Sequence, residues 1–391
     1  MRSIAIITST RAEYGLLKPL MEQLHQDKEI ELRIVVTGMH LSHAFGNTID
    51  EIHADGFLID ECIEILFDGD TPSAISKTMG MAIFEFANYF NRKKPDAVLV
   101  LGDRYEIFAV CMSAMNFKIP IIHLCGGEVT EGAMDDAIRH AITKMSFLHF
   151  TIADEYKKRV IQLGENPDRV YNFGSLGNEN IARIQLLSKA ELERAIHFPL
   201  EHPYSVVTFH PATRSEQLCE EQFEILQNAL VRLANMNYII TKANADAGGK
   251  HINRRIDMFA SQYPDRIYAC ESLGMIKYLS AVKYSEMVIG NSSSGIVEAP
   301  AFGVPTINIG NRQKGRIEAD SVITCSVNEE EILDSMMKAT KEAFRSKIRT
   351  MKNPYYKEDT SKNMAAVIHD YLCNDKMKIE KEFYDVKFLN G

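Results

Sequence analysis

Short apolar runs of strand length alternate with segments of helical period along most of the chain, and this alternation limits the possible folds more than any other feature. Residues 3–8 (SIAIIT), 31–38, 96–102, 119–124, 149–154 and 170–174 read as the strands of a first half. Segments such as "YGLLKPLMEQLHQ" and "RYEIFAVCMSAMNF" between them read as helices. Strands interleaved with helices in this way predict a parallel sheet covered on both faces. The pattern breaks at the charged, proline-punctuated stretch 188–203, and a second set of strands follows at 204–210, 238–244, 266–270, 286–291, 305–310 and 321–327. A chain of 391 residues, 46% of them hydrophobic, is also too long for one comfortable core. The expected fold class is therefore α/β, with two doubly wound Rossmann-like domains at 1–187 and 188–375. A charged tail, 376–391, has a placement that the sequence leaves open. Such sheets bind ligands outside the carboxyl ends of their strands, so the active site is expected in the cleft between the domains.

Charge narrows the partners. Lys and Arg total 44 against 53 Asp and Glu, a net charge of −9, which offers no footprint for nucleic acid or for an anionic membrane. The seven cysteines are scattered, without the close spacing of zinc or redox pairs, and read as reduced thiols of a cytoplasmic protein. No run is long enough to span a bilayer, and the N-terminus lacks the features of a secretory leader.

The stretch "MVIGNSSSGIVEAPAFGVP" (287–305) carries the clearest ligand signal of the second half. A strand ends at Gly290, small residues make a tight loop, and a helix follows. Backbone donors there, with the Ser292, Ser293 and Ser294 hydroxyls, can cradle a phosphate. A serine N-cap after a strand is the plainer reading. Neither a G-x-G-x-x-G turn nor a Walker sequence is present, which argues against a dinucleotide and a magnesium triphosphate. Arg312, Lys314 and Arg316 follow another strand end, and His210 and Arg214 follow a third; cations gathered at strand ends suit a diphosphate.

The first half gathers the opposite charge. Glu128, Glu131, Asp135 and Asp136 follow a strand, and Asp103 and Arg104 follow another. Helix capping accounts for Asp103, Asp135 and Asp136 singly but not for their concentration at adjacent sheet ends. At this point the chain resembles the hydrolysing UDP-N-acetylglucosamine 2-epimerases of sialic-acid synthesis, relatives of the non-hydrolysing epimerases with a glycosyltransferase-B-like fold. The likeness runs almost end to end through "TSTRAEYG", "VTGMHLSHAFGNT", "LGDRYEIF", "GGEV", "DDAIRHAITK", "FHPAT", "NADAG", "GNSSSG" and "INIGNRQKGR".

The resemblance implies elimination of UDP from the sugar to give a 2-acetamidoglucal, then addition of water to give N-acetylmannosamine, with no metal and no cofactor. By the same likeness Asp103 and Asp135 are catalytic acids or bases, and Arg104, Asp136 and His40 are their neighbours at the sugar. Arg11, His210, Asn244, Ser292, Ser293, Glu298 and Arg312 match contacts to UDP. Many relatives carry a catalytic glutamate where this chain has Cys125; Glu128 is the preferred substitute, with Glu131 the other, while Cys125 itself reads as packing. The resemblance also implies a homodimer or homotetramer. Three alternatives stay open: the same chemistry on UDP-N,N'-diacetylbacillosamine, a non-hydrolysing epimerase, and, further off, a glycosyltransferase or a non-catalytic sugar-nucleotide sensor.

Overall fold

The computed structural model describes residues 1–42, 48–67, 69, 71–130, 134–211, 218–243 and 249–387. Two parallel sheets organise them. The first has seven strands: β1 (Arg2–Thr8), β2 (Ile30–Thr37), β3 (Ile59–Ile63), β4 (Ala97–Leu101), β5 (Ile121–Leu124), β6 (Leu148–Thr151) and β7 (Val170–Asn172). Their order is β3-β2-β1-β4-β5-β6-β7. The second has six: β8 (Tyr204–Thr208), β9 (Asn237–Thr241), β10 (Ile267–Cys270), β11 (Val288–Gly290), β12 (Thr306–Ile309) and β13 (Val322–Cys325), in the order β10-β9-β8-β11-β12-β13. Neighbouring strands pair in parallel throughout. The α/β class with two Rossmann-like halves is thus observed.

Burial explains why most of these strands were legible. Alternate residues of one strand enter different cores: Ile4 and Ile6 join one apolar cluster, Ala5 and Ile7 another. Both faces of β1 and β4 are covered, so β4 is apolar throughout and β1 is apolar from Ile4 to Ile7. β3 is the exception that the sequence did not disclose. It is an edge strand of sequence IDECI, only partly buried, and has no continuous apolar run to read.

The chain divides into two compact units: Met1–Glu128, Met134–Asn180 and Lys357–Gly391 form one, and Val129–Ala133 with Ile181–Tyr356 form the other. The expected domains, 1–187 and 188–375, differ from this at both ends. The helix Thr360–Cys373 crosses back to the first unit because Met364, Ile368, Tyr371 and Leu372, spaced by three and four, enter the core of the first sheet. Ser361 donates from its N–H (2.7 Å) and Oγ (3.0 Å) to the buried carboxylate of Glu179, which fixes the same helix. Among the described residues no helix is long and apolar enough to cross a membrane.

The tail follows that helix onto the first unit. Lys381 donates to both oxygens of the fully buried Glu165 (2.8 Å each) and to the Ser146 carbonyl (2.7 Å). Phe383 lies against Gly164, where a Cβ would come within 2.3 Å of its ring. Burial alone would raise the Glu165 carboxyl, but hydrogen bonds from His149, Lys144 and Lys381 outweigh it and bring it down to about 2. A carboxyl lowered on folding adds stability that is complete above its ordinary value and is lost as pH falls towards the folded one. Lys381→Ala is expected to cost about 2 kcal/mol in urea unfolding at pH 7, with the deficit shrinking as pH falls from 4.5 towards 2.

Candidate active site

In each sheet the strand order reverses once, between β1 and β4 in the first and between β8 and β11 in the second. The crevice beyond the carboxyl ends at such a reversal is where open α/β sheets hold ligands. The residues there in the first unit are Ser9 to Glu13 after β1 and Gly102 to Glu106 after β4.

Asp103 sits just past β4, where Gly102 turns the chain with φ +80°. One carboxylate oxygen, Oδ2, is engaged by Arg139, and the Asp103 side chain is 26% exposed. Arg139 was not anticipated as a site residue. It lies on the helix Met134–Met145, four residues after Asp135 and three after Asp136, so all three share a helix face. Its side chain is 2% exposed; beyond Asp103 it donates to the Glu128 carbonyl (2.9 Å) and pairs with Asp136 (3.6 Å). One guanidinium therefore ties together Asp103, Asp136 and the backbone of Glu128. The available signal was an arginine between Ile138 and Ile142 on the buried face of an amphipathic helix.

A second unanticipated group is His123, in the middle of β5. Burial brings it down to about 3, so the ring is neutral. Its Nε2 lies 2.8 Å from the Gly102 carbonyl, which only accepts, so Nε2 carries the proton and Nδ1 accepts from Thr143 Oγ1 (3.2 Å). His123 thereby pins the carbonyl preceding Asp103. Cys125, two residues on, adopts a left-handed φ of +65°, donates its N–H to the Phe150 carbonyl (2.8 Å) and packs on the core. Glu128 is buried, and Glu131 lies outside the described residues.

His40 is fully buried, its ring held between Thr8 Oγ1 (3.0 Å) and Thr48 Oγ1 (2.7 Å), and burial brings it down to about 4. It therefore stands as a neutral group inside the unit. Arg104 contacts Glu106 through Nε, and Arg11 pairs with Glu51 (2.9 Å).

In the second unit Gly290, at φ +136°, brings β11 against β8 so closely that a Cβ would lie 1.9 Å from the Thr208 carbonyl. Only glycine allows the loop that follows. Asn291 locks that loop to the end of β8: its Oδ1 accepts from the His210 N–H and its Nδ2 donates to the His210 carbonyl (2.8 Å each). Arg312 (3.0 Å) and Gln313 (2.8 Å) both donate to the Asn291 carbonyl. Ser292 caps the short helix Ser293–Val297, accepting from the Ser294 N–H (3.4 Å). Ser294 Oγ donates to Glu298 Oε2 and accepts from the Tyr278 hydroxyl (2.8 Å). Burial raises the Glu298 carboxyl above its ordinary range. Its Oε1 has no hydrogen-bond partner among the described residues, an acceptor open to a hydroxyl. A cavity of about 500 Å³ beside the loop is lined by Gln222, Asn291, Gly310, Arg312 and Ser326, among others. Asn244 and Arg214, both anticipated at strand ends, lie outside the described residues.

The first unit thus holds carboxylates, the buried Arg139 and the partly exposed Arg104 around one sheet reversal, and the second holds a glycine-serine loop with the half-buried Glu298 at the other. Comparison with known proteins points the same way. The family model described as UDP-N-acetylglucosamine 2-epimerase matches residues 22–369. The polysialic acid biosynthesis protein P7 of Escherichia coli is 42% identical over 387 residues, covering 99% of this chain and 98% of its own. The hydrolysing GDP/UDP-N,N'-diacetylbacillosamine 2-epimerase of Campylobacter jejuni is 42% identical over 328 residues, covering 84% and 85%. The crystal structure of UDP-GlcNAc 2-epimerase from Neisseria meningitidis, bound to UDP-GlcNAc, matches with a TM-score of 0.78 at 17% identity, covering 94% of this chain and 99% of that one; this is a likeness of fold.

Proposed function

The chain belongs to the UDP-N-acetylglucosamine 2-epimerase family, and from that premise we propose that it is a hydrolysing 2-epimerase converting UDP-N-acetylglucosamine and water to N-acetylmannosamine and UDP. The observation that carries the reading is the Asp103–Arg139–Asp136 cluster beside Glu128, because the reaction is proton transfer at carbon and calls for several fixed carboxyl groups.

Two steps make up the chemistry. In the first, the proton on carbon 2 goes to a carboxylate while the bond from carbon 1 to the diphosphate oxygen breaks; its electrons leave with UDP, and a carbon 1–carbon 2 double bond forms. In the second, water adds its oxygen to carbon 1, and carbon 2 takes a proton on the opposite face. Asp103 and Asp135 are assigned the proton transfers, with Glu128 as the third acid in place of the residue that Cys125 replaces. Arg104, Asp136 and His40 are assigned to the sugar's surroundings, His40 as a neutral group behind them. UDP is assigned to Arg11, His210, Asn244, Ser292, Ser293, Glu298 and Arg312. The loop amides, serines and Arg312 meet the charge that develops on the departing diphosphate, and Glu298 Oε1 accepts from the ribose.

The second reading is the same reaction on UDP-N,N'-diacetylbacillosamine, favoured by the 42% identity to an enzyme bearing that name. Incubation with each nucleotide, followed by analysis of products, decides between them. Release of UDP with N-acetylmannosamine from UDP-N-acetylglucosamine is expected. Accumulation of UDP-N-acetylmannosamine alone would overturn the hydrolysing assignment, and faster turnover of the bacillosamine nucleotide would transfer the substrate.

A further inference from the structure

Two more carboxylates occupy the reversal between β1 and β4, and the reaction above does not use them. Glu13 is 5% exposed and Glu106 fully buried. Ser9 Oγ joins them, 2.9 Å from Glu13 Oε2 and 3.0 Å from Glu106 Oε1. Glu13 Oε2 also accepts from the N–H groups of Ser9 (2.8 Å) and Thr10 (3.3 Å), while Glu106 Oε1 takes Arg104. The other oxygen of each, Glu13 Oε1 and Glu106 Oε2, is buried with no hydrogen-bond partner among the described residues. An N-terminal capping box accounts for one side of Glu13 and for nothing at Glu106.

Two buried acids facing one arginine leave a negative charge uncompensated unless one acid keeps its proton. We propose that Glu13 and Glu106 are positioning residues for Arg104, with Glu106 as its ion-pair partner and Glu13, through Ser9, as the protonated member that holds Glu106 in place. This rests on the assignment of Arg104 to the sugar site. Burial raises the Glu13 carboxyl, Arg104 pulls it back and the like charge of Glu106 pushes it up again, leaving it at about 7. Among the described residues the titratable and charged groups facing the pair are Arg104, from the turn after β4, and Tyr105, at the start of the helix Tyr105–Asn116; His40, from the turn Gly38–Leu41, is neutral. Glu106 and Glu13 overcome the burial of Arg104 and raise its pKa, so its guanidinium stays charged while 36% of the side chain remains exposed.

A carboxyl raised on folding binds a proton that the unfolded chain has released, so its contribution to stability falls as pH rises from 4.5 to about 7. Glu13→Gln removes that dependence. The Tm of the variant relative to the parent is therefore expected to climb across that interval and then level, and the neutral limb of the kcat profile is expected to flatten. Glu106→Gln and Arg104→Ala are each expected to lower kcat by about 10- to 100-fold, and the double variant to fall no further than Arg104→Ala alone. Ser9→Ala, a smaller change that leaves both acids in place, is expected to lower kcat in the same direction and serves if Glu106→Gln does not fold. A folded Glu106→Gln or Ser9→Ala with parental kcat, or additive losses in the double variant, would overturn the positioning role while Arg104→Ala is impaired. Full activity of Arg104→Ala would instead overturn the assignment of Arg104 beneath it.

Discussion

Asp103→Asn is expected to lower kcat by about 100-fold or more while leaving UDP affinity unchanged. The amide keeps the shape of the side chain and an acceptor towards Arg139 but cannot take up the proton that leaves carbon 2. On the proposed mechanism the loss is specific to that step. Arg139 engages Oδ2, and Oδ1, with no partner among the described residues, is the oxygen that the proposed transfer would use. His123 holds the preceding carbonyl and Gly102 sets the turn, so the backbone that leads into Asp103 is fixed. Steady-state rates with calorimetric UDP binding test this. Parental turnover in a folded variant would remove Asp103 from the chemistry and with it the mechanism given above.

The second large effect is expected at Arg139. Arg139→Met preserves much of the length and apolar contact of the side chain but deletes the charge on which Asp103, Asp136 and the Glu128 carbonyl converge. Removing one partner of a buried ion pair leaves the other charge without compensation, and a cost of about 3 kcal/mol is expected in urea unfolding. The two aspartates are each about a quarter exposed, so water recovers part of their solvation and keeps the cost at the lower end of that class. Turnover measured well below the unfolding transition is expected to fall about 100-fold, because the cluster loses its shared anchor. A variant as stable and active as the parent would show that the aspartates hold their places without it.

The contrast between Asp103 and Arg139 shows how far the sequence could be read. Asp103 follows an apolar run ending in glycine, a signal contained within about ten residues, and such signals located twelve of the strands and the loops after them. Arg139 carries no such local mark. Its role depends on Asp103, 36 residues away, and on a crossover that brings helix and strand end together. The same holds for Ser9 and Glu106, 97 residues apart and joined because β1 and β4 are neighbours in the sheet.

By itself, then, the sequence determined the α/β class, the two sheets, the strand-end loops that carry charge and the glycine turn at residue 290. These follow from hydrophobic period and backbone freedom, which act between near neighbours in the chain. Only the tertiary structure decided that β3 is a polar edge strand, that the helix Thr360–Cys373 and the tail after it return to the first unit, and that Arg139, His123, Glu13 and Glu106 stand around the candidate site. Those outcomes depend on strand order and on the pairing of buried charges. Strand order joins residues by their place in the sheet rather than by their distance along the chain, so no local pattern records it.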